Sequence, residues 1–259
     1  KDYIEIKKYC KKINIDLIIT PWDDVSAKFI DKLNIKAFKI ASIDANNYQF
    51  CEFIAKMRKP TIISTGMCSY KEILKTQKIF KKYKTPHIFL HCTSAYPTNE
   101  KDKNLNCIPV MSKLLKDEIG FSGHGVTIAG SAGAVALGAV IVEKHVTLNK
   151  KMLGSDHAAS LEFKEFKYLI DICKKIKISL GSSEKGFQKS EQILQNILLR
   201  KFVVSKKIHK NEKLTKKNIK TAITMRKGGI HPKNYYSLIG KKVNKSLKVG
   251  HILQKKDLN

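Results

Sequence analysis

The chain has 259 residues and a formal net charge of +28. A strongly basic balance can indicate a nucleic-acid-binding protein, but only Arg58, Arg200 and Arg226 are arginines, and the other 47 of the 50 basic residues are lysines. The lysines are spread along the whole chain, whereas nucleic-acid readers usually cluster arginine with aromatic residues. We therefore expect no specific nucleic-acid partner and interpret most of the lysines as solvated surface.

Cysteine spacing and hydropathy set further bounds. Six cysteines without a Cys-x-x-Cys pair are typical of free thiols in a reducing compartment, so we expect a cytoplasmic protein. The longest uncharged run, 119–142, is interrupted by Ser, His, Thr and Gly and is too weakly apolar to predict a transmembrane helix or a membrane partner. Because the sequence begins at Lys1 within a helical pattern, we expect it to be a fragment.

Strands and helices alternate along the first 180 residues. The predicted helices and strands, in chain order, are helix 4–12, strand 16–20, helix 26–33, strand 37–42, helix 48–57, strand 61–65, helix 70–83, strand 87–92, helix 109–116, strand 119–122, helix 126–137, strand 140–142 and helix 161–178. Ser69 and Glu72 have the spacing of a capping box at the start of helix 70–83. Repeated βα units imply a parallel sheet, either doubly wound or closed into a (β/α)₈ barrel.

The composition changes near residue 180. The run GSSEKGFQKS, 181–190, is typical of a linker, and short apolar pieces separated by turns such as Gly228-Gly229 follow from about Leu198. We predict a barrel domain over 1–180, a linker over 181–197 and a small separate domain over 198–259.

Two histidines follow neighbouring strands of the predicted sheet. His124 comes soon after strand 119–122, and His145 comes soon after strand 140–142. Parallel strands joined by a crossover helix end on the same side of the sheet, so the two imidazoles should emerge side by side. Such a pair predicts a divalent-metal site. Each histidine alone is equally compatible with an ordinary polar residue at a strand end.

Six motifs in order resemble those of the sialic acid synthases, and they are FKIASIDANNY, KPTIISTGM, LHCTSAYPT, GFSGH, EKHVT and GSDHAASLE. The tail resembles the antifreeze-like (SAF) domain of the same family. The resemblance covers essentially the whole chain and implies a TIM-type (β/α)₈ barrel followed by a small β-rich SAF domain. The first two βα units of the family, with an amino-terminal catalytic glutamate, have no counterpart in this sequence.

The resemblance also implies an activity. Members condense phosphoenolpyruvate with an N-acetylated hexosamine, N-acetylmannosamine or its 6-phosphate, and release phosphate. His124 and His145 match the two ligands of Mn²⁺ or Mg²⁺ and, with Lys39, the catalytic residues. The residues that match substrate-binding positions are Lys39, Ser42, Asp44, Ser64, Ser94, Tyr96, Ser122, Asp156 and Arg226. In the family, the arginine that Arg226 matches reaches the partner's active site in a domain-swapped homodimer.

The choice of sugar stays open at this point. Asp44, Ser94 and Gly123 resemble the animal-type branch, which uses the phosphorylated sugar, whereas Arg226 resembles the bacterial branch. A pseudaminic or legionaminic acid synthase acting on a modified hexose is an alternative. An inactive barrel that carries a glycan-binding SAF module is another, and a phosphoenolpyruvate-dependent aldolase without a SAF domain is a third.

Overall fold

The computed structural model describes residues 2–226 and 228–259. The chain divides into two compact units, Lys1–Gly181 and Ser182–Asn259. Within the described parts of the chain, no helix combines the length and the apolar character needed to span a bilayer. All six cysteines are free thiols, as their spacing predicted.

The first unit is built on a five-stranded parallel sheet. Its strands are β1 (Phe38–Ile40), β2 (Thr61–Ser64), β3 (His87–Cys92), β4 (Ile119–Gly123) and β5 (Val142–Lys144). Their spatial order, β1-β2-β3-β4-β5, is their order in the chain, and every pairing is parallel. A doubly wound sheet would reverse its strand order at a switch point. The sequential order is instead that of part of a TIM-type barrel.

Seven helices belong to this unit, and they are α1 (Asp2–Lys12), α2 (Asp24–Lys32), α3 (Tyr48–Lys56), α4 (Tyr70–Lys82), α5 (Cys107–Leu115), α6 (Ala129–Ala136) and α7 (Phe163–Leu180). The predicted capping box of α4 is confirmed, since Ser69 and Glu72 each accept a hydrogen bond from the other's backbone N–H. Phe38, Ile54 and Phe80 are fully buried where these helices pack on the sheet. The burial of such apolar faces, at about 25 cal/mol per Å², stabilises the helices more than propensity does.

Several predicted boundaries were wrong. Predicted strand 140–142 lies two residues later, at Val142–Lys144. Predicted strand 16–20 is reduced to one bridge, Ile19 to Phe38, because a single hydrogen bond, from Lys39 N to Ile19 O at 3.2 Å, ties it to the sheet. Helix α6 begins at Ala129, three residues later than predicted. The last helix begins at Phe163, because Leu161–Glu162 (β7) pairs in parallel with Val146–Thr147 (β6).

The second unit has its own core. Helix α8 (Gln192–Leu198) precedes an antiparallel pair, β8 (Arg200–Val204) and β9 (Ile219–Ile223), and helix α9 (Tyr235–Leu238) follows. The predicted linker, 181–197, is therefore partly helical, because its apolar Ile and Leu residues fall within α8. The core of the unit consists of Phe202, Val204, Ile208, Leu214, Ile219, Ile230, Leu238, Val243, Leu247 and Leu253.

A buried carboxylate near the end of the chain ties this second unit together. Asp257 is completely buried and accepts hydrogen bonds from His251 Nε2 at 2.7 Å and from Gln254 N at 2.9 Å. Lys245 Nζ lies 2.9 Å from its other oxygen. A buried charge is tolerated only when it is paired and hydrogen-bonded in this way.

Candidate functional site

A cavity of about 370 Å³ lies at the carboxyl ends of the parallel strands. Its lining residues are Thr20, Trp22, Lys39, Ala41, Ser42, Ser64, Tyr96, Ser122, His124, Glu143, His145 and Asp156. The carboxyl edge is where active sites form in parallel βα folds, because side chains from several strands converge there.

Eight of the predicted site residues line this one cavity, and they are Lys39, Ser42, Ser64, Tyr96, Ser122, His124, His145 and Asp156. Three others do not. Asp44 Oδ1 accepts a hydrogen bond from Asn47 Nδ2 at 3.1 Å within its own loop. Ser94 lies behind the lining, next to Gly66. Arg226 is an exposed residue of the second unit.

The two histidines meet edge to face in the cavity. The ring centroids of His124 and His145 are 5.1 Å apart, and the Tyr96 ring lies 4.2 Å from His124 and 5.8 Å from His145. Asp156 Oδ2 is 3.7 Å from His145 Nε2. His124 Nδ1 lies 3.1 Å from Thr93 O, so a proton on Nδ1 leaves Nε2 with a free lone pair.

Burial favours the neutral form of both imidazoles. Burial lowers the pKa of His124, and this effect exceeds the opposing hydrogen bond to Thr93 O. Burial also lowers the pKa of His145, with the neighbouring His124 adding to the effect and Asp156 opposing it. A neutral imidazole can accept a proton or bind a cation at pH 7.

Lys39, Glu143 and Ser122 form a polar network on the floor of the cavity. Ser122 is in register with Glu143 on the next strand, and its hydroxyl donates to Glu143 Oε1 at 2.7 Å. Lys39 Nζ lies 3.6 Å from Glu143 Oε2 and donates to Ile40 O at 2.8 Å. Burial lowers the pKa of Lys39, and the Glu143 carboxylate opposes this effect.

Glu143 was not predicted as a site residue, although the sequence contains a signal for it. Side chains two residues apart on a strand share a face, and Glu143 stands two residues before His145. Trp22 and Thr20 were also missed, because they follow the segment that does not form a regular strand.

Gly66 brings two serine side chains, Ser42 and Ser94, close together at the cavity wall. Ser42 Oγ accepts a hydrogen bond from Gly66 N at 3.0 Å and donates to Cys92 Sγ at 3.6 Å. A Cβ on Gly66 would lie 2.1 Å from Ser94 Oγ and 3.0 Å from Ser42 Oγ, so any larger residue would displace them. Ser64 Oγ is buried and has no hydrogen-bond partner within the described ranges 2–226 and 228–259.

The side chains that line the cavity suit an anionic ligand with several oxygen atoms. One ammonium, two carboxylates, several hydroxyls and two imidazoles face the same space. An orphaned buried hydroxyl such as that of Ser64 is unfavourable unless a ligand or water satisfies it. Over the described part of the chain, no group of three or more His, Cys, Asp or Glu side chains by itself forms a metal site, so any cation held by the histidines takes further ligands from elsewhere.

Comparison with known proteins assigns the family. The NeuB family matches residues 1–185, which is more than half of the chain. The chain belongs to the NeuB family.

Two curated relatives cover most of this NeuB-family chain. It is 37% identical over 240 residues to the pseudaminic acid synthase of Campylobacter jejuni subsp. jejuni serotype O:2. The aligned region covers 92% of this chain and 69% of the relative. It is 36% identical over 242 residues to the N-acetylneuraminate-9-phosphate synthase of Homo sapiens. The aligned region covers 93% of this chain and 67% of that relative.

A solved structure agrees with the family assignment. The crystal structure of N-acetylneuraminic acid (sialic acid) synthetase from Leptospira borgpetersenii serovar Hardjo-bovis, in complex with citrate, superposes with a TM-score of 0.71 at 36% identity. The superposition covers 74% of this chain and 67% of that one. The parallel βα arrangement of the first unit is therefore the fold of a sialic acid synthase barrel.

Proposed function

We propose that this protein is a phosphoenolpyruvate-dependent nonulosonic acid synthase. It condenses phosphoenolpyruvate with an N-acetylated hexosamine to form a sialic or related acid and releases phosphate. The observation that carries the proposal is the convergence, in one cavity, of the His124–His145 pair and the Lys39–Glu143–Ser122 network. Membership of the NeuB family and the names of the relatives support the same reaction class.

Mn²⁺ or Mg²⁺ is part of this proposal. The fit rests on the two imidazoles, whose ring centroids are 5.1 Å apart, with the Asp156 carboxylate beside them, 3.7 Å from His145 Nε2; the further ligands come from elsewhere. Nitrogen and carboxylate oxygen donors suit Mn²⁺, and the hydrogen bond between His124 and Thr93 is the kind of outer contact that orients a ligating imidazole. When bound, the cation supplies Lewis-acid polarisation of a carbonyl oxygen.

Phosphoenolpyruvate is proposed to bind on the floor of the cavity. The Lys39 ammonium neutralises an anionic oxygen, and the Ser42 and Ser122 hydroxyls donate to the ligand after giving up their acceptors Cys92 Sγ and Glu143 Oε1. The orphaned hydroxyl of Ser64 supports this placement, since an oxyanion would satisfy it. Glu143 keeps Lys39 charged before the anion arrives, because its carboxylate favours the protonated amine.

The sugar is proposed to bind at the outer wall, beside Tyr96 and Asp156. These side chains offer a phenol and a carboxylate to sugar hydroxyls. In the reaction, C3 of phosphoenolpyruvate forms a bond to the aldehyde carbon of the open-chain sugar, and the aldehyde oxygen becomes a hydroxyl. Water adds at C2, and the C2–O bond to phosphate breaks to leave the keto acid and inorganic phosphate.

The second unit is proposed to be a SAF domain that acts across a homodimer. Its tail resembles that domain in sequence, and its small core includes a two-stranded antiparallel sheet. In this proposal Arg226 completes the partner's site, where its planar guanidinium can hold an acetamido oxygen or a phosphate. Cytoplasmic location is also proposed, from the free thiols.

Product analysis tests the proposed reaction. Full-length protein is incubated with phosphoenolpyruvate, Mn²⁺ and one sugar from a panel of free and 6-phosphorylated N-acetylhexosamines and 6-deoxy diacetamido sugars. We expect equal amounts of phosphate and of one nine-carbon acid, detected by mass spectrometry, with His145→Ala as the negative control. If no sugar in the panel releases phosphate while a glycan array binds the protein, the inactive-barrel alternative is correct.

A further inference from the structure

Lys144 ends strand β5, between two residues that line the cavity. Strand alternation puts its side chain on the face opposite Glu143 and His145. Lys144 is half-buried, and its ammonium donates hydrogen bonds to two backbone carbonyls, those of Gly125 and, at 3.0 Å, Ala159. The ammonium therefore faces away from the substrate cavity and toward the backbone of two loops.

Each of these carbonyls belongs to a segment that carries a cavity residue. Gly125 directly follows His124. Ala159 ends the short 3₁₀ helix His157–Ala159, which begins immediately after Asp156. The backbone carbonyl of Asp156 in turn accepts a hydrogen bond from the Ser160 hydroxyl, with 2.8 Å between the two oxygens. A single side chain thus connects the segment after β4, the end of β5 and the segment that presents Asp156.

A half-buried ammonium at this place calls for a physical reason. Burying a charge carries a desolvation penalty, and an apolar side chain of similar volume would avoid it. An apolar side chain could not hold two carbonyls, whereas the three N–H groups of a lysine can donate to both. The arrangement thus favours a role in fixing the relative positions of the two segments.

We propose that Lys144 is a positioning residue that fixes His124 and His145, with Asp156 beside them, in the arrangement to which the cation binds. The inference rests on the proposed function, because it concerns the cation that this function requires. Lys144 touches no reacting atom. Lys39 and Ser64 lie on β1 and β2, and neither contacts Lys144, so we expect their binding of phosphoenolpyruvate not to depend on Lys144.

The test is Mn²⁺ binding to the full-length protein, followed by the electron paramagnetic resonance signal of free Mn²⁺. Lys144→Met is expected to weaken Mn²⁺ binding about 10- to 100-fold, the range found when an outer partner of a metal ligand is removed. Lys144→Arg, which can still donate to both carbonyls, is expected to recover most of the affinity. Phosphoenolpyruvate binding without metal, measured by Trp22 fluorescence, is expected to stay unchanged in both variants.

Lys150→Met is the matched control. Lys150 is also partly buried in this region, but its ammonium pairs with Glu165 at 2.7 Å and contacts neither Gly125 nor Ala159. We expect wild-type Mn²⁺ affinity in this variant. Equal loss in Lys150→Met and Lys144→Met would mean that general loosening of the region is responsible, and the inference would be wrong.

The remaining outcomes separate the inference from the proposed function. If the wild-type protein takes up no Mn²⁺ or Mg²⁺, the proposed function fails and the inference fails with it. If the wild type binds Mn²⁺ and Lys144→Met binds it equally well, only the inference is overturned. Should Lys144→Met not fold, as judged by circular dichroism, Lys144→Ala replaces it; this variant also lacks a donor to the two carbonyls, and wild-type affinity there would likewise overturn the inference.

Discussion

Replacing Lys39 with methionine removes the cavity's fixed positive charge on β1 while keeping the length of the side chain. The Lys39 side chain is 12% exposed, and its ammonium lies 3.6 Å from the Glu143 carboxylate, whose side chain is 38% exposed. The substitution therefore removes a poorly solvated cation and leaves Glu143 without its partner. Both changes disfavour an anionic ligand.

The magnitude follows from the charges involved. Two unit charges 3.6 Å apart attract by about 4–5 kcal/mol at an effective dielectric constant near 20. Solvent at Glu143 reduces this figure, and hydrogen bonds to charged groups contribute about 1.5–3 kcal/mol net. We take about 2–3 kcal/mol as the lost interaction of Lys39 with phosphoenolpyruvate, which weakens its binding about 30- to 160-fold.

The assay is fluorescence titration with phosphoenolpyruvate, since Trp22 lines the cavity and is the only tryptophan in the chain. Lys59→Met is the control, because the Lys59 side chain is 15% exposed and pairs with Asp31 at 2.7 Å. We expect Lys59→Met to bind like the wild type. Wild-type affinity in folded Lys39→Met would refute the assignment of Lys39 to the anion.

Three further predictions concern other parts of the chain. His124→Ala and His145→Ala should each abolish Mn²⁺-dependent activity while the far-UV circular dichroism spectrum stays native; a variant that keeps full activity would contradict the proposed metal site. Burial raises the pKa of Asp257, but its hydrogen bonds, first that from His251, outweigh this and lower the pKa below 3.8; its stabilisation of the second unit is therefore complete above that pH and is lost as the pH falls through the folded-state pKa. Asp257→Asn should lower the melting temperature at pH 7 and flatten its dependence on pH in acid, and an unaltered profile would refute this. Mixing Arg226→Ala with His145→Ala subunits should restore activity to about one quarter of the sites, because half of each heterodimer is intact; no recovery after confirmed subunit exchange would show that Arg226 does not act across the interface.

Much of the first unit could be predicted from the sequence, because local pattern and fold geometry agree there. Apolar runs predicted the positions of β1 to β4 and placed β5 two residues too early, and the Ser69 cap predicted the start of α4. The parallel βα rule brought His124 and His145 to one edge, where their rings lie 5.1 Å apart. Their role as metal ligands stays a prediction, since proximity alone does not identify a ligand.

Other features depend on contacts that the sequence pattern does not contain. A lone Glu143 looks like a solvated strand-end charge until the register of β4 and β5 places Ser122 beside it. Residues 16–20 have the composition of a buried strand, but they form only one bridge to β1 and no continuous ladder of hydrogen bonds. Trp22 follows that irregular stretch, and no strand periodicity indicates which way its ring points.

The five strands of the sheet are arranged in their order along the chain, and this affects how the sheet can form during synthesis. Each strand pairs with the one before it, across 21 to 30 residues of chain, so the sheet can grow from one edge as the polypeptide leaves the ribosome. Strand β5 is the last of these five strands along the chain, and it carries Glu143 and leads into His145. A nascent chain that stops before Val142 holds Lys39 without its carboxylate and His124 without the second imidazole. Neither the Lys39–Glu143 pair nor the His124–His145 pair can therefore form before β5 has joined the sheet.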